Sequence, residues 1–355
     1  MNIKEELEKF KKVFDPELEK YFDKAIKETQ KKDKLITGAL KHIKKITMSG
    51  GKRLRPALMY YGYLGAGGRQ KNEIIKTAIS VELIHTFLLI HDDIIDRDAK
   101  RHGVMTTHLK YKKIHEKFFW LDNSTHFGNS MAIIIGDMIM ALGNKALFIS
   151  NFKPEIIIKA LYKLQKVVAN TVIGQAKDVL ISFKGKATEQ EILNMCRLKT
   201  AKYTIESPLH LGAILSEADE NILKSFSKLS IPIGIAFQIQ DDILGIFGSE
   251  KKIGKPVGSD IAEGKQTILI SQAKKKADIK QKMTLRNTLG KENLTQKDIK
   301  NFRKVIIETG ALDYAKKLAQ GYIIKAKKEI IKTPVKKETK DFLMGVADYM
   351  IERKV

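Results

Sequence analysis

The stretch Ile74-Ile75-Lys76-Thr77-Ala78-Ile79-Ser80-Val81-Glu82-Leu83-Ile84-His85-Thr86-Phe87-Leu88-Leu89-Ile90-His91-Asp92-Asp93-Ile94-Ile95-Asp96 decides how this chain folds. Its apolar residues recur at three- and four-residue spacing throughout, the period of a helix buried on most of its faces. Three carboxylates then close it within five residues. On a helix, Asp92 and Asp96 share a face, about 6 Å apart along the axis. Like charges at that spacing repel, so such a helix is favoured when a cation sits between them. Oxygen-only ligands suit a hard ion such as Mg²⁺, which is commonly held by one or two carboxylates plus substrate phosphates. A solvated helix end is the plainer reading. It ranks lower, because Gln240-Asp241-Asp242 repeats the pattern after a second apolar run.

The same period runs outward in both directions. It predicts helices over Glu5 to Thr29 and Lys34 to Met48, the second stopped by Ser49-Gly50-Gly51. A third starts near Pro56 and ends around Gly65-Ala66-Gly67-Gly68, and a long one covers roughly Asn72 to Asp96. Further on, Phe127 to Ser150, Pro154 to Phe183 and Thr188 to about Ile205 read as helices, Thr188 and Glu191 forming a capping box. A short helix follows Pro208, and Glu217 to Phe247 is strongly apolar with Pro232 inside it. Gly248 to Gly264 reads as a loop, and about four more helices break near Gly290, Gly310 and Pro334. No run alternates at strand period, and no linker or fixed repeat appears. The expectation is a single-domain, all-α bundle over residues 1–355.

Composition sets the boundaries. The 355 residues are 43% hydrophobic, ample for a large core, and the single cysteine, Cys196, rules out an internal disulfide framework and fits a reducing compartment. Residues 1–12 are charged and amphipathic rather than signal-like. Met131 to Leu142 and Leu229 to Ile239 read as too short to span a bilayer. A soluble, cytoplasmic protein with no transmembrane segment is expected. The net charge of +24 raises a nucleic-acid reading. The lysines nevertheless spread over most polar helix faces without an aromatic-interleaved basic motif, so no nucleic-acid partner is expected. A positive field of this kind steers anionic substrates or favours peripheral contact with anionic membranes.

Two acidic clusters at apolar helix ends could face each other across a cavity and hold several Mg²⁺ ions on a diphosphate. Basic residues in loops and at helix ends supply the remaining counter-charge: Lys52, Arg53, Arg55, Arg101, Lys199, Lys255 and Lys265. Any one of them, among 65 lysines and arginines, is more simply a surface residue.

With these positions in order, the chain resembles the trans-isoprenyl diphosphate synthases of the farnesyl and geranylgeranyl type. The resemblance rests on Gly50-Gly51-Lys52-Arg53-Leu54-Arg55-Pro56, then His91 to Asp96, Arg101 before Gly103, Gly136-Asp137 and Lys199-Thr200. It continues through Phe237-Gln238-Ile239-Gln240-Asp241-Asp242 and Gly254-Lys255-Pro256-Val257-Gly258-Ser259-Asp260. It extends from about residue 5 to the C-terminus and is weakest between Lys110 and Thr125, where the chain carries extra residues.

The resemblance implies a prenyltransferase that condenses isopentenyl diphosphate with allylic diphosphates, with Mg²⁺ as cofactor and a homodimer as the assembly. Lys52, Arg55 and His85 match positions that bind isopentenyl diphosphate. Asp92, Asp96 and Asp241 match carboxylates that hold the allylic diphosphate through Mg²⁺, with Asp93 and Asp242 completing the two metal clusters. Arg101, Lys199, Thr200, Gln238, Lys255 and Lys265 match other diphosphate and cation contacts. Two departures stand out: His102 replaces a second arginine, and Gly245 replaces the last carboxylate of the second cluster. Phe87 and Leu88, just before Asp92, would floor the cavity, and this pair points to geranylgeranyl diphosphate as product. A farnesyl or longer-chain synthase, a non-catalytic relative of the fold, and a cyclase or head-to-head enzyme are the alternatives.

The remaining residues carry plainer expectations. His91 reads as a packing residue, and Cys196 as a buried small hydrophobe. His108, His115 and His126 are expected exposed, while His42 and His210 show no partner spacing. Phe118, Phe119 and Trp120 read as local core, with a neighbouring protein or a membrane as the other reading.

Overall fold

A computed structural model describes residues 1–120, 122–248, 258–291 and 293–352. The chain begins with α1 (Ile3–Gln30), α2 (Lys34–Met48), α3 (Leu54–Gly65), α4 (Lys71–Thr77) and α5 (Ile79–Ile95). A two-residue hairpin follows, β1 (Lys100–Arg101) pairing antiparallel with β2 (Val104–Met105). Next come α6 (Thr107–Phe118), α7 (Ser124–Phe148), α8 (Pro154–Lys184) and α9 (Glu189–Cys196). A π-helical segment (Arg197–Glu206) leads directly into α10 (Ser207–Leu215). Then follow α11 (Glu220–Phe247), α12 (Ser259–Ala262), α13 (Ile268–Lys276), α14 (Ile279–Thr288), α15 (Gln296–Glu308), α16 (Ala311–Lys332) and α17 (Lys337–Glu352).

The all-α class is the one the apolar period predicts, and most helix ends follow from their caps. Thr188 accepts from the Glu191 amide at 3.2 Å while Glu191 accepts from the Thr188 amide at 2.7 Å, closing the expected capping box of α9. Asp219 caps α11 by accepting from the amides of Asn221 and Ile222. Pro232 is accommodated inside α11.

Three departures from the sequence reading have local causes. The long helix ending at Asp96 divides at Ala78, where Thr77 Oγ1 donates to the Glu73 carbonyl at 2.8 Å and ψ of Ala78 opens to −10°. The helix expected from Thr188 to Ile205 changes after Cys196 into the π segment. That segment is gripped from two sides. A Cβ on Gly174 of α8 would stand 2.7 Å from the Lys199 Cα, and one on Gly234 of α11 would stand 2.5 Å from the Ala201 Cβ. Only glycine lets these helices approach so closely. Finally, α6 is amphipathic, so His108 and His115 are buried rather than exposed, each 8% accessible; the His115 ring stacks 5.2 Å from Phe127. Phe118 (63% exposed) and Trp120 (101%) form no local core.

Length also needs correction. Among the described residues, three helical stretches, residues 71–95, 124–148 and 220–247, are long and apolar enough to cross a membrane by length and composition. In the first and third, 72% and 78% of that apolar window is buried inside the fold; in α7 the share is 39%.

α5 and α11 are the central helices. α5 packs against α3 and α7, and α11 against α16 and the π segment, which also lies on α8. The polar ends of α5 and α11 define the site.

Buried neutral histidines make this fold acid-sensitive. Burial, then Lys110, lowers His42 to about 4; burial, then Lys163, lowers His210 to about 4. Both are neutral when folded and gain a proton on unfolding below the ordinary histidine value of about 6.5. Stability is therefore full above that value and is lost as pH falls toward 4. Melting temperatures measured from pH 7 to 4.5 should fall across this window, and His210→Gln should flatten the slope; a level profile would contradict this account.

Candidate active site

The first wall is the C-terminal end of α5. Asp92 accepts from Gln175 Nε2 of α8 at 2.8 Å. Asp93 turns inward, 3% exposed, where it accepts from Arg101 Nε at 2.9 Å. The β-hairpin turn, with His102 (φ 52°) and Gly103 (φ 78°) in the left-handed region, delivers Arg101, which also donates to Asp98 at 3.0 Å. Burial pushes the Asp93 carboxyl up to about 7 against the pull of Arg101. Asp96 meets the Lys265 ammonium at 3.4 Å.

The second wall is α11. Gln238 accepts from Thr200 Oγ1 at 2.5 Å and donates to Asp242 Oδ1 at 2.8 Å. Asp242 is buried, and its Oδ2 has no hydrogen-bond partner among the described residues. Burial, with Asp260 and Asp241 nearby, raises its pKa well above the carboxylate range. Asp241, one residue earlier, is exposed.

Two lysines stand beside the walls. Lys265 Nζ lies 3.4 Å from Asp96, 3.3 Å from Asp260 and 2.7 Å from Glu263. Burial opposes its charge, but Asp260, Asp96 and Glu263 outweigh burial and raise its pKa well above normal. Lys199, in the π segment, donates to Asp178 of α8 at 2.6 Å. Burial again opposes its charge; Asp178 and Asp92 prevail and raise it.

A second basic group borders this cleft. Lys52 contacts the Tyr349 hydroxyl and lies 4.6 Å from that ring's centroid, so α17 reaches the site. Arg55 donates to Thr204 at 2.8 Å and stacks 4.8 Å over Tyr203. His85 lies 6.1 Å from Tyr203, ring to ring, and its buried Nδ1 lacks a partner among the described residues. Burial, then Arg55 and Arg101, holds its pKa well below 6.5. His102 lies 3.3 Å from the Ile46 carbonyl and is lowered by burial, so it contributes little charge at neutral pH.

Arg53 is set apart from its neighbours. It is 1% exposed at its side chain and donates to Asp15 and Glu82, each at 2.6 Å, and to the Thr47 carbonyl at 2.8 Å. It staples α1, α2 and α5. Lys255 lies outside the described residues. Below Asp92, Phe87 is 5% exposed with its ring 4.9 Å from His91, and Leu88 is half-buried. His91 itself reaches the Ile133 carbonyl at 3.2 Å and lies 3.8 Å from Asp137.

Sequence reasoning passed over Gln175, Asp178, Tyr203, Thr204 and Tyr349. Gln175 and Asp178 stand three apart on α8, and that polar pair amid apolar residues was the available signal. Nothing in the spacing of Tyr349, nearly three hundred residues from Lys52, announced their contact.

These residues fit Mg²⁺. Every donor on the two walls is an oxygen, and the buried, unpartnered Oδ2 of Asp242 leaves acceptor capacity pointing at no protein donor among the described residues. No three His, Cys, Asp or Glu side chains among the described residues already form a metal cage.

Carboxylates at the ends of α5 and α11, with Lys265 pairing Asp96 to Asp260 of α12 and Lys199 pairing with Asp178 of α8, line a polar cleft inside an all-α bundle. The chain belongs to the polyprenyl synthetase family, whose model matches residues 36–306, and it is a trans-prenyltransferase. It is 36% identical over 323 residues to a geranylfarnesyl diphosphate synthase of Aeropyrum pernix, covering 90% of this chain and 94% of that one. A geranylgeranyl pyrophosphate synthase of Geoglobus acetivorans is 35% identical, over 86% and 88% of the two chains. Among solved structures, geranylgeranyl pyrophosphate synthase from Corynebacterium glutamicum, complexed with isoprenyl diphosphate and magnesium, superposes with a TM-score of 0.92. The two share 29% identity, over 98% of this chain and 99% of that one.

Proposed function

We propose that this protein condenses isopentenyl diphosphate with an allylic diphosphate, head to tail, to make geranylgeranyl diphosphate. The observation that carries this reading is the bridge from Asp96 through Lys265 to Asp260, which brings the α5 wall against the segment lying on α11. In this reading Asp92, Asp96 and Asp241 hold the metal. Asp93, expected in the first metal cluster, is paired with Arg101 and positions it instead, while Asp242, held by Gln238 through Oδ1, keeps its Oδ2 for the second cluster. Mg²⁺, when bound, would neutralise charge on the departing diphosphate.

The protein's own groups do the rest. Lys199, Lys265, Arg101 and, from outside the described residues, Lys255 hold the allylic diphosphate oxygens as their bond to carbon breaks. Lys52, Arg55, the neutral His85 and His102 hold isopentenyl diphosphate so that its double bond meets the allylic carbon. Thr200 and Gln238 face the developing cation with their oxygens. Apolar residues below Asp92 exclude water from it. The released diphosphate takes the final proton.

Relatives named for geranylgeranyl and geranylfarnesyl products support chain elongation. The buried Phe87 supports stopping at the shorter of these. The decisive assay offers labelled isopentenyl diphosphate with each allylic primer and Mg²⁺, and sizes the products after dephosphorylation. A twenty-carbon product is expected; no product from any primer would defeat the proposal. Phe87→Ala should shift the distribution to longer chains, at a stability cost of about 3–5 kcal/mol for the cavity created. Unchanged chain lengths would remove Phe87 as the floor.

In our reading the whole chain acts as one domain in the cytoplasm and pairs as a homodimer. The apolar face that α7 and α8 leave exposed supports the dimer, with Ile134 at 59%, Tyr162 at 70% and Phe183 at 90% accessibility. The exposed Phe118 and Trp120, beside the lysines of α6, suit a peripheral membrane contact.

A further inference from the structure

The second acidic cluster ends in Gly245 where a third carboxylate would complete an aspartate triplet four residues after Asp241. The space is not vacant. A Cβ on Gly245 would fall inside the Asp260 carboxylate, 2.7 Å from its Cγ. We propose that Asp260 supplies the missing carboxylate of the α11 cluster from the neighbouring helix α12, and that Gly245 exists to admit it. This deepens the metal assignment of the proposed function and rests on it.

Three features of the structure support the assignment. Position 245 lies one turn after Asp241, so a group occupying its side-chain volume sits on the Asp241 face of α11. Asp260 also shares the Lys265 ammonium with Asp96 of the opposite wall, at 3.3 and 3.4 Å. Its carboxylate therefore stands between both clusters, where a hard cation held by few carboxylates and a diphosphate would sit. Independently, Asp242 Oδ2 is buried and lacks a hydrogen-bond partner among the described residues, and Asp260 is among its nearest charges. A carboxylate oxygen buried without a donor is costly unless a proton or a cation answers it, and a cation between Asp241 and Asp260 would displace the proton.

Supplying the carboxylate from α12 rather than α11 makes the cluster composite. Its last member reaches α11 only when the segment carrying Asp260 lies against Gly245. A simpler role, in which Asp260 merely anchors Lys265, predicts different behaviour, because in the proposed function Lys265 binds phosphate rather than metal.

Manganese bound per chain in the presence of inorganic pyrophosphate, read from the electron paramagnetic resonance of the free ion, separates the two. Asp260→Asn should weaken one bound Mn²⁺ by roughly 10- to 100-fold. Gly245→Ala, which leaves Asp260 in the chain but displaces its carboxylate, should weaken the same ion. Gly245→Asp placed in an Asp260→Gly chain should restore it by returning a carboxylate to the same volume. If Asp260→Asn fails to fold by circular dichroism, the Gly245→Ala titration carries the test. Wild-type Mn²⁺ binding in Asp260→Asn, with pyrophosphate binding weakened in metal-free buffer, overturns the proposal in favour of the anchor. A double variant as weak as Asp260→Asn overturns the shared-volume claim. No Mn²⁺ binding by the wild-type protein would instead defeat the underlying metal assignment.

Discussion

Asp92→Ala is expected to lower turnover by at least about 10³-fold, the several kcal/mol that metal neutralisation of a leaving diphosphate supplies. The fold should not suffer. Asp92 is half-exposed and accepts from Gln175, a neutral amide that water can replace. Removing it also ends the like-charge repulsion with Asp96 one turn on, so melting without metal should stay level or rise slightly. Steady-state turnover under saturating Mg²⁺ together with calorimetry measures both quantities. Activity within tenfold of wild type would remove Asp92 from the metal site, and a collapse in melting temperature would recast it as structural.

Arg53→Met should do the reverse, costing stability first. Its guanidinium is buried and answers two carboxylates, of which Glu82 is itself 5% exposed. Breaking a buried pair by removing one partner strands the other, at about 3–5 kcal/mol. Denaturant unfolding should show that loss, while Lys52 and Arg55, its neighbours in sequence, should respond chiefly through the KM for isopentenyl diphosphate when replaced. Pairing Arg53→Met with Glu82→Leu should recover much of the loss, since the stranded charge is then gone. Additive losses in the double variant would rule out the pair as the source of the effect.

The contrast between Arg53 and its neighbours marks what sequence could and could not reveal. Helical period placed most of the long helices, because buried faces must repeat at 3.6 residues whatever their partners, but it missed α6 and α12 and gave about four helices after Gly264 where five stand. The acidic pairs were legible for the same reason: a fixed spacing on a helix is a fixed geometry. Arg53 was not separable from Lys52 and Arg55, since all three stand in one loop and only tertiary partners distinguish them. The same holds for His108 and His115, whose burial depends on α7 packing over α6. Tyr349 and Asp260 lay beyond reach because their contacts cross the chain. Asp260 stood inside a recognised motif, yet its relation to Gly245 is a matter of volume in space.

The π segment between α9 and α10 has a mechanical meaning. Within six residues it sends Lys199 to Asp178, Thr200 to Gln238, and Tyr203 and Thr204 to Arg55. In the proposed reading, both diphosphate subsites therefore take bearings from one short piece of backbone, clamped between two glycines. Such a piece acts as a shared ruler: the distance between donor and acceptor substrates is written into its wider winding. Deleting a single residue there would tighten the winding and rotate one subsite against the other, misaligning the reactants even with every contacting side chain still present.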